Sequence, residues 1–210
     1  MPTTASLFAF ALVALAMVLT PGPNMIYLVS RSVCQGRTAG MISLGGVVLG
    51  FVVYMLCAAF GLTAIVFAIP YAYDAIRIGG ALYLLWLAWQ AVRPGGRSPF
   101  HVRNLPVDSP RKLFLMGFVT NLLNPKIAAM YLSLLPQFID PAAGSVLLQL
   151  LALGFLQICV SISVNTTIVF SAGSISVFLA RHPAWAVAQR WIMGTVLAGM
   201  ALRIATEARR

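Results

Sequence analysis

Long apolar runs alternate with short clusters of charged residues along most of the chain. A helix needs roughly 20 apolar residues to cross the hydrocarbon of a bilayer, and charges inside such a run are costly. The gaps between charges therefore predict an all-α, polytopic membrane protein. Its six predicted transmembrane helices are about Ser6 to Ser30, Gly40 to Ile65, Tyr71 to Val92, Leu113 to Leu135, Val146 to Phe170 and Trp185 to Ile204.

The first predicted helix is interrupted by a motif of helix-breaking residues. Its uncharged run contains the sequence Thr20-Pro21-Gly22-Pro23-Asn24. Proline lacks the N–H that an interior helix position donates, so the helix should break here. Inside a membrane, a broken backbone must be buried in protein or line a polar cavity. The motif is therefore a candidate binding site, whose candidate residues are Pro21, Gly22, Pro23, Asn24 and the nearby Tyr27.

A similar motif interrupts the fourth predicted helix. The segment from Pro23 to Ser30 aligns with the segment from Pro125 to Ser133 with one residue of slack, and Asn124 precedes the second proline. Two interrupted hydrophobic segments in corresponding halves are typical of a transporter with a binding site near the midplane of the membrane. The alternative is two unrelated proline kinks.

A hydrophilic linker at about residues 94–112, rich in proline and glycine, divides the chain into two sets of three helices. An odd number of helices in each half gives the halves opposite orientations. We therefore expect a single membrane domain of two inverted three-helix repeats, about residues 5–93 and 113–207. Helices 1 and 4 are broken at the proline motifs.

Composition supports a membrane protein. Of the 210 residues, 60% are hydrophobic and only 9% are charged, whereas soluble domains have about 25% charged residues. The net charge of +10 reflects basic residues between the apolar runs. The odd-numbered loops hold nine of them and the opposite side holds four. The positive-inside rule then predicts a cytoplasmic linker and periplasmic termini, and nucleic acid is not an expected partner.

Lys126 lies close to the centre of the fourth predicted helix. A lysine there is costly unless it is paired or solvated, so it is a functional candidate. It can serve as the counter-charge for a substrate carboxylate or as a proton-responsive group; the alternative is a lysine that snorkels to the cytoplasmic side. The N-terminus of the helix that begins after each proline also favours an anion. Asn24 can supply an amide there, and Asn124 a capping group.

Other polar positions within the predicted helices are weaker candidates. Asn165 lies in the most polar helix and Tyr83 near the middle of the third; such side chains either join helices or line a polar path. No acidic residue lies mid-helix, which favours neutral or hydrophobic substrates. Glycines at GxxxG spacing, such as Gly46 and Gly50, predict close helix packing within a subunit or across a dimer.

Enzymatic and metal-binding patterns are absent from the sequence. His101 and His182 lie in predicted loops without a cysteine or carboxylate at ligand spacing, and no phosphate-binding glycine loop is present. The three cysteines are widely spaced and contain no CxxC pair. We therefore expect neither enzymatic activity, nor a cofactor, nor a metal site.

Several motifs, in matching order and spacing over about residues 5–140, resemble the LysE/RhtB family of amino-acid exporters. They include Thr20-Pro21-Gly22-Pro23-Asn24, Gly80-Ala81-Leu82-Tyr83-Leu84 and Asn121-Leu122-Leu123-Asn124-Pro125-Lys126. The resemblance implies a bacterial inner-membrane exporter of amino acids or their derivatives, driven by the proton motive force and assembled as a homodimer. The implied functional residues are Pro21, Gly22, Pro23, Asn24, Asn124, Pro125 and Lys126. Ala88 departs from the family, which often has glycine there.

The sequence thus favours a secondary transporter that exports a small amino-acid substrate across the lipid bilayer, with protons as the coupling ion. Two alternatives share a three-plus-three architecture. One is a membrane scaffold in which the prolines and glycines serve packing alone. The other is a redox or metal-handling membrane protein, for which paired cysteines or a histidine-rich loop would be diagnostic.

Overall fold

The computed structural model describes residues 2–20, 22–62 and 107–181 continuously, together with individual residues between 78 and 93 and between 184 and 202. All regular structure in these residues is helical, which confirms the predicted all-α class. The continuous parts contain α1 (Thr4–Leu19), α2 (Pro23–Gln35), α3 (Arg37–Cys57), α4 (Pro110–Leu122), α5 (Pro125–Ala129) and α6 (Val146–Arg181).

Several short segments depart from α-helical geometry. A π-helical turn, Ala58–Leu62, continues α3, and another, Met130–Leu134, follows α5. The second is followed by the 3₁₀ segments Leu135–Phe138 and Pro141–Ala143. A π turn holds one residue more than an α turn.

Four apolar units of the described structure match predicted transmembrane helices. Two are long single helices, Arg37–Gly61 and Val146–Ile175. The other two are bent pairs: α1 and α2 meet at 56°, and the pair formed by α4 and the helical segment Lys126–Phe138 meets at 51°. These are the first, second, fourth and fifth predicted helices. Of the predicted third and sixth helices, the structure describes only individual residues.

A close helix contact joins α3 to α4. A Cβ added to Gly46 would lie 1.9 Å from the backbone oxygen of Phe114, and one added to Gly117 would lie 2.2 Å from that of Ser43. A Cβ on Gly50 would lie 2.6 Å from the side chain of Asn121. At Gly46 and Gly117 the two backbones therefore approach directly, and at Gly50 the Asn121 side chain takes the space of a Cβ. Packing within the subunit is thereby confirmed for Gly46 and Gly50.

The core lies where α1, α3, α6 and the turns after α5 meet. Phe10, Tyr131 and Leu153 are fully buried there, and Phe51 is nearly so. Large apolar side chains also cover the outside, such as Phe155, which is 64% exposed. An apolar exterior around a packed interior suits a protein surrounded by lipid.

Candidate functional site

The first break separates α1 from α2 by three residues, of which Pro21 lies outside the described part of the chain. An uninterrupted helix would pair the Met17 carbonyl with an N–H at position 21, which proline lacks. The Thr20 N–H instead donates to the carbonyls of Ala16 and Met17, at 3.1 and 3.3 Å. Helix α2 then restarts at Pro23, with Gly22 as its N-cap.

The second break, between α4 and α5, has an equivalent arrangement. Asn124 Oδ1 accepts a hydrogen bond from the Lys126 N–H at 3.1 Å, so Asn124 caps α5 as predicted. The Asn124 N–H donates to the Asn121 carbonyl at 3.0 Å, replacing the N–H that Pro125 lacks. Pro125 is the first residue of α5, as Pro23 is of α2.

Lys126 joins the two breaks. Its side chain is buried, with the residue only 5% exposed, and Nζ donates to the Thr20 carbonyl at 2.5 Å. This carbonyl lies at the C-terminal end of α1, where the helix dipole favours a cation. The side chain therefore points into the protein, and the snorkelling alternative is wrong.

A cavity lies between the two breaks and is closed by α3 and α6. Its empty space, including the mouth, is about 390 Å³. The lining residues are Met17, Val18, Asn24, Met25, Phe51, Asn124, Lys126, Ile127, Met130, Gln157 and Asn165.

Buried amides with unused hydrogen-bonding capacity line this cavity. Both polar atoms of the Asn24 side chain and Nδ2 of Asn124 have no partner among the described residues. The two residues are 7% and 1% exposed. A buried polar group without a partner costs about 1–3 kcal/mol. The cavity is thus suited to a ligand or water that both donates and accepts hydrogen bonds.

The wall formed by α6 is polar and internally ordered. Gln157 Oε1 accepts from the Tyr131 hydroxyl at 2.6 Å, and Gln157 Nε2 donates to Ser161 Oγ at 2.7 Å. Asn165 Nδ2 donates to the Ser161 carbonyl at 2.8 Å, which leaves Oδ1 for a ligand. Gln157 was missed as a site residue, although it lies four and eight residues before Ser161 and Asn165. That spacing indicates a shared helix face.

The opposite side of the cavity is apolar. Met17 and Val18 come from the end of α1, Phe51 from α3, and Ile127 and Met130 from the helical segment after the second break. Thioether side chains adapt to irregular shapes because they are flexible and polarizable. The cavity thus combines one cationic group, several amides and an adaptable apolar wall.

Not every predicted site residue lies at this cavity. The Tyr27 hydroxyl donates to the Leu113 carbonyl at 2.7 Å and accepts from Ser43 Oγ at 3.2 Å. Tyr27 thus connects α2 to α3 and α4 and is not a lining residue. Tyr83 falls outside the described residues. Pro125 takes part through its backbone, as the start of α5.

A second polar cluster joins the end of the linker to α2. The Asp108 side chain, 4% exposed, forms ion pairs with Arg31 and, at 2.6 Å, with Lys112. Gln35 Nε2 donates to Asp108 Oδ2 at 2.9 Å, and the Asp108 N–H donates to Gln35 Oε1 at 2.8 Å. The hydrogen bonds from Lys112 and Gln35 and the charge of Arg31 lower the pKa of Asp108. We call these four residues the linker-end cluster.

Cysteines and acidic residues do not form a metal site within the described ranges. No group of three or more His, Cys, Asp or Glu side chains is placed to hold a metal ion there. Cys34, Cys57 and Cys159 are not disulfide-bonded.

Comparison with known proteins places the sequence in a family. Residues 15–208 match the LysE type translocator family. The chain is 27% identical over 197 residues to a leucine efflux protein of Enterobacter sp. (strain 638), covering 92% of both chains. It is 26% identical over 206 residues to an uncharacterized membrane protein of Pseudomonas aeruginosa, covering 95% of this chain and 94% of the relative.

A leucine efflux protein of Salmonella typhimurium is 26% identical over 193 residues, covering 92% of this chain and 91% of the relative. No solved structure matches the chain. The family match extends over most of the sequence and includes both breaks and the cavity between them. The chain is therefore a multi-pass membrane protein that belongs to the LysE type translocator family.

Proposed function

We propose that this protein is a secondary active exporter of amino acids with neutral, apolar side chains across the bacterial inner membrane. Membership of a translocator family and the leucine efflux proteins among its relatives support this proposal. The observation that carries it is the buried Lys126 ammonium group between the two breaks, next to the unpaired amides of Asn24 and Asn124.

The substrate carboxylate binds to Lys126. An ammonium group has three N–H donors, and one of them is engaged by the Thr20 carbonyl. The other two remain for a carboxylate, with Asn124 Nδ2 as a further donor. The N-terminus of α2 favours the same negative charge. The substrate ammonium group is bound by neutral acceptors, Asn24 Oδ1 and Asn165 Oδ1.

The substrate side chain lies against the apolar wall formed by Met17, Met25, Phe51 and Met130. None of the lining residues is acidic. A lysine or arginine substrate would therefore bury its side-chain charge without a partner, which is strongly unfavourable. The second carboxylate of an acidic substrate would find no second cation among the lining residues. Neutral apolar amino acids avoid both penalties.

Transport follows alternating access between two inverted three-helix repeats, around a site near the membrane midplane. Protons are the coupling ion, and Lys126 is the titratable side chain among the lining residues. The linker is cytoplasmic, both termini are periplasmic, and the protein assembles as a homodimer.

Export from cells tests this function. Cells that overproduce the protein are loaded with dipeptides, and each free amino acid in the medium is measured over time. We expect one or a few apolar amino acids to accumulate with the wild type and not with Lys126→Met. Lys112→Met is the matched control, because that lysine is 60% exposed and does not line the cavity; it should retain export.

Equal export by the wild type and the Lys126→Met variant, at equal membrane levels, would overturn the role of Lys126 in substrate binding. Equal amino-acid profiles with and without the protein would instead favour a non-transporting scaffold. Export of lysine or glutamate in preference to leucine would contradict the assigned substrate class.

A further inference from the structure

The second break leaves the last carbonyl of α4 without its helical partner. In a continuous helix, the Leu122 carbonyl would accept from the N–H of Lys126, four residues later. That N–H is donated to Asn124 Oδ1. The Tyr54 hydroxyl, which comes from α3, donates to the Leu122 carbonyl instead, at 2.8 Å. A backbone carbonyl within a membrane protein is costly without such a partner.

The first break is stabilised in the same way. The Thr20 carbonyl would pair with the Asn24 N–H in a continuous helix, and it accepts from Lys126 Nζ instead. At each break, a side chain from a distant element thus replaces the lost backbone donor. Tyr54 is the counterpart of Lys126 in this respect, although it does not line the cavity.

Tyr54 also contacts the cavity wall through a second tyrosine. Its ring is stacked on that of Tyr131, with centroids 5.6 Å apart and an interplanar angle of 20°. Tyr131 is fully buried, and its hydroxyl donates to Gln157 Oε1 at 2.6 Å. Gln157 lines the cavity. Contacts are therefore continuous from the end of α4, through Tyr54 and Tyr131, to Gln157.

We propose that Tyr54 is a positioning residue of the substrate site. Its hydroxyl fixes the end of α4, and hence the place at which Asn124 and Lys126 begin the next helix. Its ring fixes Tyr131, which orients the Gln157 amide. The expected effect of Tyr54 on export kinetics rests on the proposed export function. Its expected effect on the structure of the second break does not depend on that function.

The variant Tyr54→Phe isolates the hydroxyl, because it keeps the stacked ring. We expect the KM for export of the preferred amino acid to rise about tenfold and kcat to change little. A tenfold change corresponds to the loss of one hydrogen bond that positions the site. The matched control is Ser163→Ala, which removes a hydroxyl bonded to the Cys159 carbonyl at 2.9 Å on an exposed face of α6. It should leave KM unchanged.

Hydrogen exchange of the purified protein gives a readout that does not require export. Tyr54→Phe should increase exchange in peptides covering residues 121–128 and leave residues 16–26, at the first break, as in the wild type. Equal hydrogen exchange at the second break in the wild type and in Tyr54→Phe would overturn the inference. If the wild type exports, an equal KM for the wild type and Tyr54→Phe would overturn it as well. Failure of the wild type to export would refute the proposed function alone, since exchange still tests the positioning.

Discussion

At the scale of single residues, Lys126 limits the size of the side chain that fits at the position of Gly22 in the first motif. Gly22 has extended backbone angles, φ −153° and ψ −176°, which other residues also adopt. A Cβ at Gly22 would lie 3.4 Å from both Cδ and Nζ of Lys126, which is ordinary contact. The position therefore admits one methyl group, and we expect a branched side chain there to push the end of the Lys126 side chain aside.

We predict that Gly22→Ala retains export and that Gly22→Val loses most of it, because the valine methyl groups displace the ammonium group from the Thr20 carbonyl. Loss of one charge-assisted hydrogen bond corresponds to about 1.5–3 kcal/mol, or roughly a tenfold to hundredfold weaker site. Initial export rates at matched membrane levels provide the measurement. Equal rates for the two variants would show that the position of Lys126 does not depend on Gly22.

At the scale of helices, adjacent glycines on α3 have different surroundings. Gly46 faces the Phe114 backbone, where an added Cβ would lie 1.9 Å from the carbonyl oxygen. Gly45 faces the Phe114 ring, where the nearest atom would lie 3.5 Å away. We predict that Gly46→Ala destabilises the protein by about 1–3 kcal/mol, the usual range for overpacking. Gly45→Ala should be nearly neutral.

Unfolding midpoints of the two purified variants in detergent provide the measurement. The same experiment separates packing within a subunit from packing across a dimer. Destabilisation by Gly46→Ala should not depend on protein concentration, because α3 and α4 belong to one chain. A concentration-dependent loss, or equal midpoints for the two variants, would contradict the contact between α3 and α4.

The sequence predicted helices and breaks better than contacts between helices. Pro23 and Pro125 show where the helices restart because proline has a local effect on its own backbone. The partner of Lys126 is 106 residues away, and no local pattern identifies a backbone carbonyl as an acceptor. Tyr27 was assigned to the site from its place near the motif, but its hydroxyl points toward the start of α4.

At the scale of the whole molecule, different contacts join the two ends of the described bundle. On the linker side, the linker-end cluster ties α2 to the start of α4 through ion pairs and amide hydrogen bonds. At the other end, α1 contacts the 3₁₀ segment through the edge-on pair of Phe10 and Phe138, whose centroids are 5.1 Å apart. Acid should therefore weaken the linker side, where the Asp108 carboxylate forms the ion pairs.

The linker-end cluster makes stability depend on pH in a defined direction. The ordinary pKa of Asp108 is 3.8, and hydrogen bonds from Lys112 and Gln35 lower it in the folded protein. The unfolded chain then binds a proton at a higher pH than the folded chain does, so the cluster stabilises the fold above pH 3.8. This contribution is lost as the pH falls through the lowered pKa.

Asp108→Asn should therefore lower the unfolding midpoint in detergent at neutral pH, because it removes the carboxylate that pairs with Arg31 and Lys112. The difference from the wild type should narrow as the pH falls below 3.8, since the wild-type carboxylate then becomes neutral as well. Other acidic groups titrate in both proteins and cancel in the comparison. Midpoint curves that stay parallel from neutral pH through this range would mean that the charge of Asp108 does not hold the linker against α2.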